Sequence, residues 1–297
     1  MSVQATRNPA GQSTALRLTV QGHAAYAYTG GKRFDPALPC VVFIHGALHD
    51  HSVWTLLARH FAHHGRSVLA VDLPGHGRSA GPALDDVESL GGWINELLDA
   101  AGVASASASA PAESAASGVA LVGHSMGSLI ALEAAAQRPA RVSRLVMVGT
   151  AWPMKVSDAL LSTSRERPLA AMAMVNAFSH ASTANKPSYP GPGAWLHGSN
   201  QALMERMQAG YAQGNLFEHD FLVCDRYQRA PEAVAQVTAA GVRAEMILGA
   251  KDAMTPPKAA KSLAELLGAR VQTLPAGHSL MTEAPEGMLN ALKATLV

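Results

Sequence analysis

The 297-residue chain has little cysteine, little charge of either sign and no long apolar run. Its two cysteines, Cys40 and Cys224, belong to no CxxC or other metal-type spacing, which excludes a disulfide framework and leaves two free, mostly buried thiols. With 23 basic and 22 acidic residues the net charge is +1. That near-balance argues against a nucleic-acid partner, an electrostatically steered membrane surface and a polyanionic substrate. No apolar stretch approaches membrane-spanning length, and the N-terminal "MSVQATRNPAGQSTALRLTV" lacks the continuous apolar region of an export signal. A cytoplasmic protein is the expectation.

What is present is an ordinary globular balance, with 48% hydrophobic and 15% charged residues. The length favours one domain carrying a sizeable insertion. Residues 1–13 are polar and small and read as a loose tail. "ALRLTVQG" and "HAAYAYTG" read as two strands in an antiparallel entry to a sheet. Short apolar runs ending in Gly or Pro then recur: "CVVFIHG" (40–46), "SVLAVDLPG" (67–75), "VALVG" (119–123), "RLVMVG" (144–149), "AEMILG" (244–249) and "RVQTLP" (270–275). Segments of helical period lie between most of them. Buried strands alternating with helices predict a mostly parallel α/β sheet of about eight strands, flanked by helices on both faces.

One gap breaks the alternation. Residues 151–235, after the sixth strand, contain no strand-like run and read as helices, broken by the loop "SYPGPG" (188–193). This is the expected helical cap, with 14–150 and 236–297 forming the core. Its methionines and aromatic residues are candidates for a pocket wall, although each is also an ordinary core residue. The Ala/Ser-rich stretch at 103–118 reads as a flexible surface loop.

Gly123-His124-Ser125-Met126-Gly127 is a G-x-S-x-G motif between a strand and a helix, the context in which a serine hydroxyl is raised above a sheet edge on a sharp turn. Small residues on either side let strand and helix approach closely. Serine needs a base to take its proton. His278, in "LPAGHSLMTEAPE", lies in a loop before the last helix, and Asp252, in "MILGAKDAMTPP", follows a strand. Read singly, Asp252 is also a helix cap and His278 a turn residue; three such groups at three strand ends point together to a nucleophile, a base and an orienting carboxylate. Met126 at the helix start and Ala47, in "HGALHDHSVW" (45–54), are the expected oxyanion donors. His45 is read as bracing that loop by hydrogen bonding.

His45-Gly46, "DLPGHGRS" (72–79), the Gly-His-Ser-Met-Gly motif, "GAKDAMTPP" (249–257) and "GHSLMTEAPE" (277–286) resemble the α/β-hydrolase superfamily. More narrowly the chain is similar to its capped serine hydrolases, the group of small carboxylesterases and carbon–carbon bond hydrolases. The resemblance covers about residues 15–150 and 240–297. It implies Ser125, Asp252 and His278 as triad and Ala47 and Met126 as oxyanion hole.

The crowded "HGALHDH" does not match a metal motif and reads as a solvated loop, and "GHGRSAG" (75–81) is a tight turn without the glycine pattern of a phosphate loop. The expected substrate pocket draws on His45, Leu48, His124, Trp152, Met172 and Met174. Hydrolysis of carboxylic esters of small to medium apolar substrates is the first expectation. Carbon–carbon cleavage of a diketone, lactone hydrolysis and perhydrolysis use the same parts, and a silent small-molecule receptor is the reading from another class. None of these acyl-transfer readings requires a metal or organic cofactor.

Overall fold

The computed structural model describes residues 4–7, 13–103, 118–181 and 196–296. The loop at 188–193 and nearly all of the Ala/Ser stretch at 103–118 lie outside them. Nine strands form one sheet: β1 (Gln4–Arg7), β2 (Ser13–Val20), β3 (His23–Tyr28), β4 (Cys40–Ile44), β5 (Ser67–Asp72), β6 (Val119–His124), β7 (Val142–Val148), β8 (Arg243–Gly249) and β9 (Arg270–Leu274). Their spatial order is β1-β2-β3-β5-β4-β6-β7-β8-β9. The first three strands run antiparallel into β5, and all pairs from β5 to β9 are parallel. The eight expected strands are all present. The ninth, β1, corrects the reading of a loose tail: Gln4–Arg7 pairs with β2, although a polar QATR segment carries no apolar run to announce it.

Both faces of the sheet are covered, which is why its central strands read as continuous apolar runs. Val42, Ile44, Leu69, Val71, Val119 and Leu121 point to one face, and their neighbours Val41, Phe43, Val68, Ala70, Ala120 and Val122 to the other. The first face is covered by α2 (Val87–Ala100), α3 (Met126–Gln137), α8 (Ala230–Ala239) and α9 (Pro257–Leu267). The second is covered by α1 (Thr55–His63) and α11 (Pro285–Leu296), with the short α10 (Leu280–Glu283) before it.

Between β7 and β8 the chain leaves the sheet through α4 (Asp158–Glu166), α5 (Pro168–Ser179), α6 (Leu196–Gly210) and α7 (Leu216–Arg226). These helices share a separate apolar cluster, with Leu161, Met172, Met204, Met207 and Phe217 at its centre, and that cluster reaches the core through Leu48 and Ala83. The boundary expected at 235 moves. Helix α8 packs on α3 and α9, and Ala230, Ala233 and Val237 join the sheet-side core, so the insertion ends before α8.

Candidate active site

Parallel strands deliver their following loops to a single edge. Ile44 pairs with Gly123, His124 with Val148 and Gly249 with Leu274. The loop after β4, the turn after β6 and the loops after β8 and β9 therefore meet above the C-terminal ends of the strands.

Ser125 sits at the joint of β6 and α3 with φ 53° and ψ −120°, a left-handed backbone that costs a side-chain-bearing residue energy. The turn closes because its flanks are glycine. A Cβ on Gly123 would lie 1.9 Å from the Gly127 carbonyl oxygen, and one on Gly127 would lie 2.5 Å from the carbonyl oxygens of Ile44 and His45. The amide of Ser125 is tied to the Val148 carbonyl at 2.9 Å.

The loops after β8 and β9 carry Asp252 and His278 and touch backbone to backbone, since a Cβ on Gly249 would stand 2.1 Å from the Gly277 carbonyl. His278 Nδ1 is 2.8 Å from Asp252 Oδ2. A carboxylate opposite Nδ1 draws the proton to that nitrogen and leaves Nε2 as the basic one. Asp252 Oδ1 accepts from the amides of Met254 and Thr255, both at 2.8 Å, and the Thr255 hydroxyl donates to Oδ2 at 2.9 Å. Burial raises the Asp252 carboxyl, but the neighbouring His278 charge and the hydrogen bonds from His278 and Thr255 outweigh it, and the net shift is downward. Thr255 also lies 3.1 Å from His278 Nδ1. The sequence reading missed Thr255; a hydroxyl three residues after the acid, ahead of a proline-started helix, was the available signal. Glu283, the other acid near His278, is engaged elsewhere, accepting from the amides of Ala181 and Gly277.

Ser125 and His278 line one cavity of about 270 Å³. Gly46, Ala47, His124 and Thr255 complete its floor, and the insertion supplies apolar walls that include Val156, Leu160, Met174, Val175, Phe178 and Phe221. Among the described residues, Lys155 is the one lysine, arginine or carboxylate side chain that lines the cavity, and its Nζ is tied to the Asp225 carbonyl at 3.0 Å. Cys224 also reaches the cavity, with its thiol pushed far up by burial.

Of the six expected pocket residues, His124 and Met174 line the cavity and the other four do not. His45 is fully buried behind the loop, where its Nδ1 donates to the Gly46 carbonyl at 2.8 Å and its Nε2 accepts from the Leu73 amide at 3.1 Å. It braces the loop as a neutral ring, held down to about 4 by burial and by the charge on His76. Leu48 and Met172 face the apolar cluster of the insertion, and Trp152 packs against the sheet-side core. His124 Nε2 donates to the His278 carbonyl at 2.9 Å, its ring 4.7 Å from that of His278. Burial and the charges of His278 and His49 hold it well below the usual histidine range. The loop "HGALHDH" is mostly buried under the insertion rather than solvated, with Leu48 and Asp50 almost inaccessible. Among the described residues no three His, Cys, Asp or Glu side chains are grouped to hold a metal ion, and no helix is long and apolar enough to cross a membrane.

The profile of the alpha/beta hydrolase family matches residues 41–291. The chain belongs to this family. Among curated relatives, a 2-succinyl-6-hydroxy-2,4-cyclohexadiene-1-carboxylate synthase of Escherichia coli is 33% identical over 118 residues, 40% of this chain and 41% of that protein. The chain thus spans about two-fifths of the length of the curated relatives it matches. Among solved structures, an esterase from Exiguobacterium antarcticum superposes with TM-score 0.74 at 19% identity, covering 94% of this chain and 98% of that one. The enol-lactonase from Burkholderia xenovorans gives TM-score 0.71 at 19% identity over 94% and 99% of the two chains. These likenesses establish the alpha/beta hydrolase fold of the chain.

Proposed function

We propose that this alpha/beta hydrolase is a serine hydrolase that cleaves carboxylic esters of small to medium apolar substrates through an acyl-enzyme. The observation that carries the reading is Ser125, held at φ 53° on the floor of an apolar cavity that it shares with His278, whose Nδ1 is bonded to Asp252. In this reading His278 Nε2 takes the Ser125 proton as the hydroxyl adds to the ester carbonyl, and Asp252 stabilises the imidazolium. The amides of Ala47 and Met126, the latter at the N-terminus of α3 where the helix dipole is positive, receive the oxyanion. His278 then protonates the leaving alcohol, and a water activated by the same imidazole releases the acid. The helices of 151–229 act as the cap and choose the substrate.

The relative's printed name describes a product bearing succinyl and carboxylate groups. Such a ligand needs cations, and among the described residues the single lining lysine is already bonded to Asp225 in a wall of Met, Val, Leu and Phe side chains. The apolar walls favour esters of monoacids. The test is labelling by a fluorophosphonate together with turnover of p-nitrophenyl esters from acetate to octanoate, with a γ-lactone and a diketone alongside. Ser125→Ala is expected to abolish labelling and to lower ester turnover by several orders of magnitude. Full labelling of that variant would overturn the nucleophile, and turnover confined to the lactone or the diketone would overturn the ester.

A further inference from the structure

A carboxylate withdrawn from water is tolerated where hydrogen bonds and an opposite charge replace the water. Asp220, on α7 of the insertion, is 1% exposed. Its main partners come from the core. Oδ2 accepts from the Leu48 amide at 2.8 Å and from His76 Nε2 at 2.8 Å, and Oδ1 lies 3.4 Å from Nδ1 of the neighbouring His219. His76 Nδ1 faces the Pro74 carbonyl at 3.0 Å. Both ring nitrogens of His76 thus face oxygens, and the Asp220 carboxylate raises the proton affinity of the ring against the effect of burial, which favours the imidazolium. The result is a buried ion pair that joins the turn after β5 to the insertion, with a third arm to Leu48.

Leu48 has φ 53°, a conformation that a leucine keeps only when its surroundings hold it. Ala47, just before it, lies between two pinned peptides. The Gly46 carbonyl accepts from His45 Nδ1 at 2.8 Å and from the His49 amide at 3.3 Å. In a trans peptide the N–H points opposite to the C=O, so these bonds set the direction of the Ala47 N–H. On the other side the Ala47 carbonyl accepts from His49 Nδ1 at 2.6 Å, and the Leu48 amide ends on Asp220. Removing Asp220 releases the Leu48 end of the second peptide, leaving only His49 Nδ1 on its carbonyl, and so loosens the strained turn that Ala47 occupies.

We infer that Asp220 is a positioning residue for the Ala47 amide: through the buried Asp220–His76 pair, the insertion, together with His45 and His49, sets the geometry in which the oxyanion is received. The inference rests on the reading of Ser125 as nucleophile and Ala47 as oxyanion donor. It makes the insertion a contributor to kcat, whereas a segment that only selects substrate acts through KM.

Asp220→Leu removes the acceptor while filling the space, and Asp220→Asn leaves one neutral oxygen for the Leu48 amide. With p-nitrophenyl butyrate, Asp220→Leu is expected to lower kcat by about 10- to 100-fold, below the roughly 10²- to 10³-fold cost of losing a whole oxyanion donor. KM should stay within about threefold. Asp220→Asn should fall between that variant and the wild type, and the affinity for a trifluoromethyl ketone, whose adduct places an oxyanion in the same position, should follow kcat. A kcat within about twofold of wild type in both variants, or in Asp220→Asn alone if Asp220→Leu does not fold, overturns the positioning role; so does a rise in KM at unchanged kcat. Ser125→Ala, measured in parallel, separates the two readings, because turnover retained there overturns the nucleophile whatever the Asp220 variants do.

Discussion

The central strands of the sheet and the helices of the insertion bury their apolar residues to different degrees. Every residue of β4, β5 and β6 is buried, and the β-branched valines that dominate these strands have few rotamers to lose. In the insertion, α5 buries Met172 and Val175 but leaves Leu169 62% and Phe178 53% exposed. The stiff half carries Ser125, Asp252 and His278, and the adaptable half carries the cavity walls. Fixed geometry suits bond-making, and a methionine-lined wall suits ligands of varied shape.

The contrast fails most visibly if the stiff half tolerates change. Gly123→Ala, which drives a Cβ to 1.9 Å from the Gly127 carbonyl, is expected to yield either no folded protein or one that no longer labels with fluorophosphonate, as read by circular dichroism and gel fluorescence. Asp252→Asn should keep the circular dichroism spectrum and lower ester turnover by up to about 10⁴-fold, because His278 loses its orienting carboxylate. Near-normal turnover there would move the acid to another residue.

Met172 and Met174 sharpen the contrast, being two positions apart on one helix, Met172 inside the cluster of the insertion and Met174 between that cluster and the cavity. Met172, 1% exposed in the cluster of the insertion, should lose about 2–5 kcal/mol of stability on replacement by alanine. Urea unfolding measures this, and the ratio of butyrate to octanoate turnover should not move. Met174→Ala should shift that ratio by an amount worth about 1–3 kcal/mol while leaving the unfolding midpoint near its original value.

Acid reads out the neutral histidines in and behind the site. His45, His49 and His124 are all held below the usual histidine range, chiefly by burial, His45 at about 4. Between pH 6.5 and 4 the unfolded chain binds protons that the folded His45 refuses, so stability falls as the pH drops through that window. The His45 contribution is up to about 3 kcal/mol, because each tenfold loss of proton affinity on folding is worth about 1.4 kcal/mol. His76, raised by Asp220 against the effect of burial, works in the opposite direction. Urea unfolding at pH 7.0 and 4.5 should show the loss, and His45→Gln should make it smaller. Equal stability at the two pH values would remove the neutral histidines from the account.

The strands from β2 to β9 were legible because burial on both faces leaves short apolar runs between glycines, while β1, the four residues QATR paired with β2, carried no such trace. The candidate triad was legible because each member follows a strand of a parallel sheet. Pocket residues were not. Helix α5 is apolar on most of its circumference, so no periodicity separates Met174, which lines the cavity, from Met172, which does not. His45 was expected both to brace the loop and to line the pocket; its ring makes the bracing bonds and is turned behind the loop, away from the cavity. Asp220 lies 172 residues from Leu48 and in no motif, so only the folded chain brings them together.

Because α8 lies in the sheet-side layer and not in the insertion, the exchangeable unit of this protein ends just ahead of it. Arg229 stands 3.4 Å from Glu133 of α3, and the Tyr227 hydroxyl donates to the same carboxylate at 2.9 Å. A chimera built to borrow another hydrolase's lid is best joined ahead of Tyr227, since a junction at 235 would cut through α8 and expose the apolar flank of α3. The donor segment must also bring its own partner for His76, or the graft will carry a new specificity on a loosened frame.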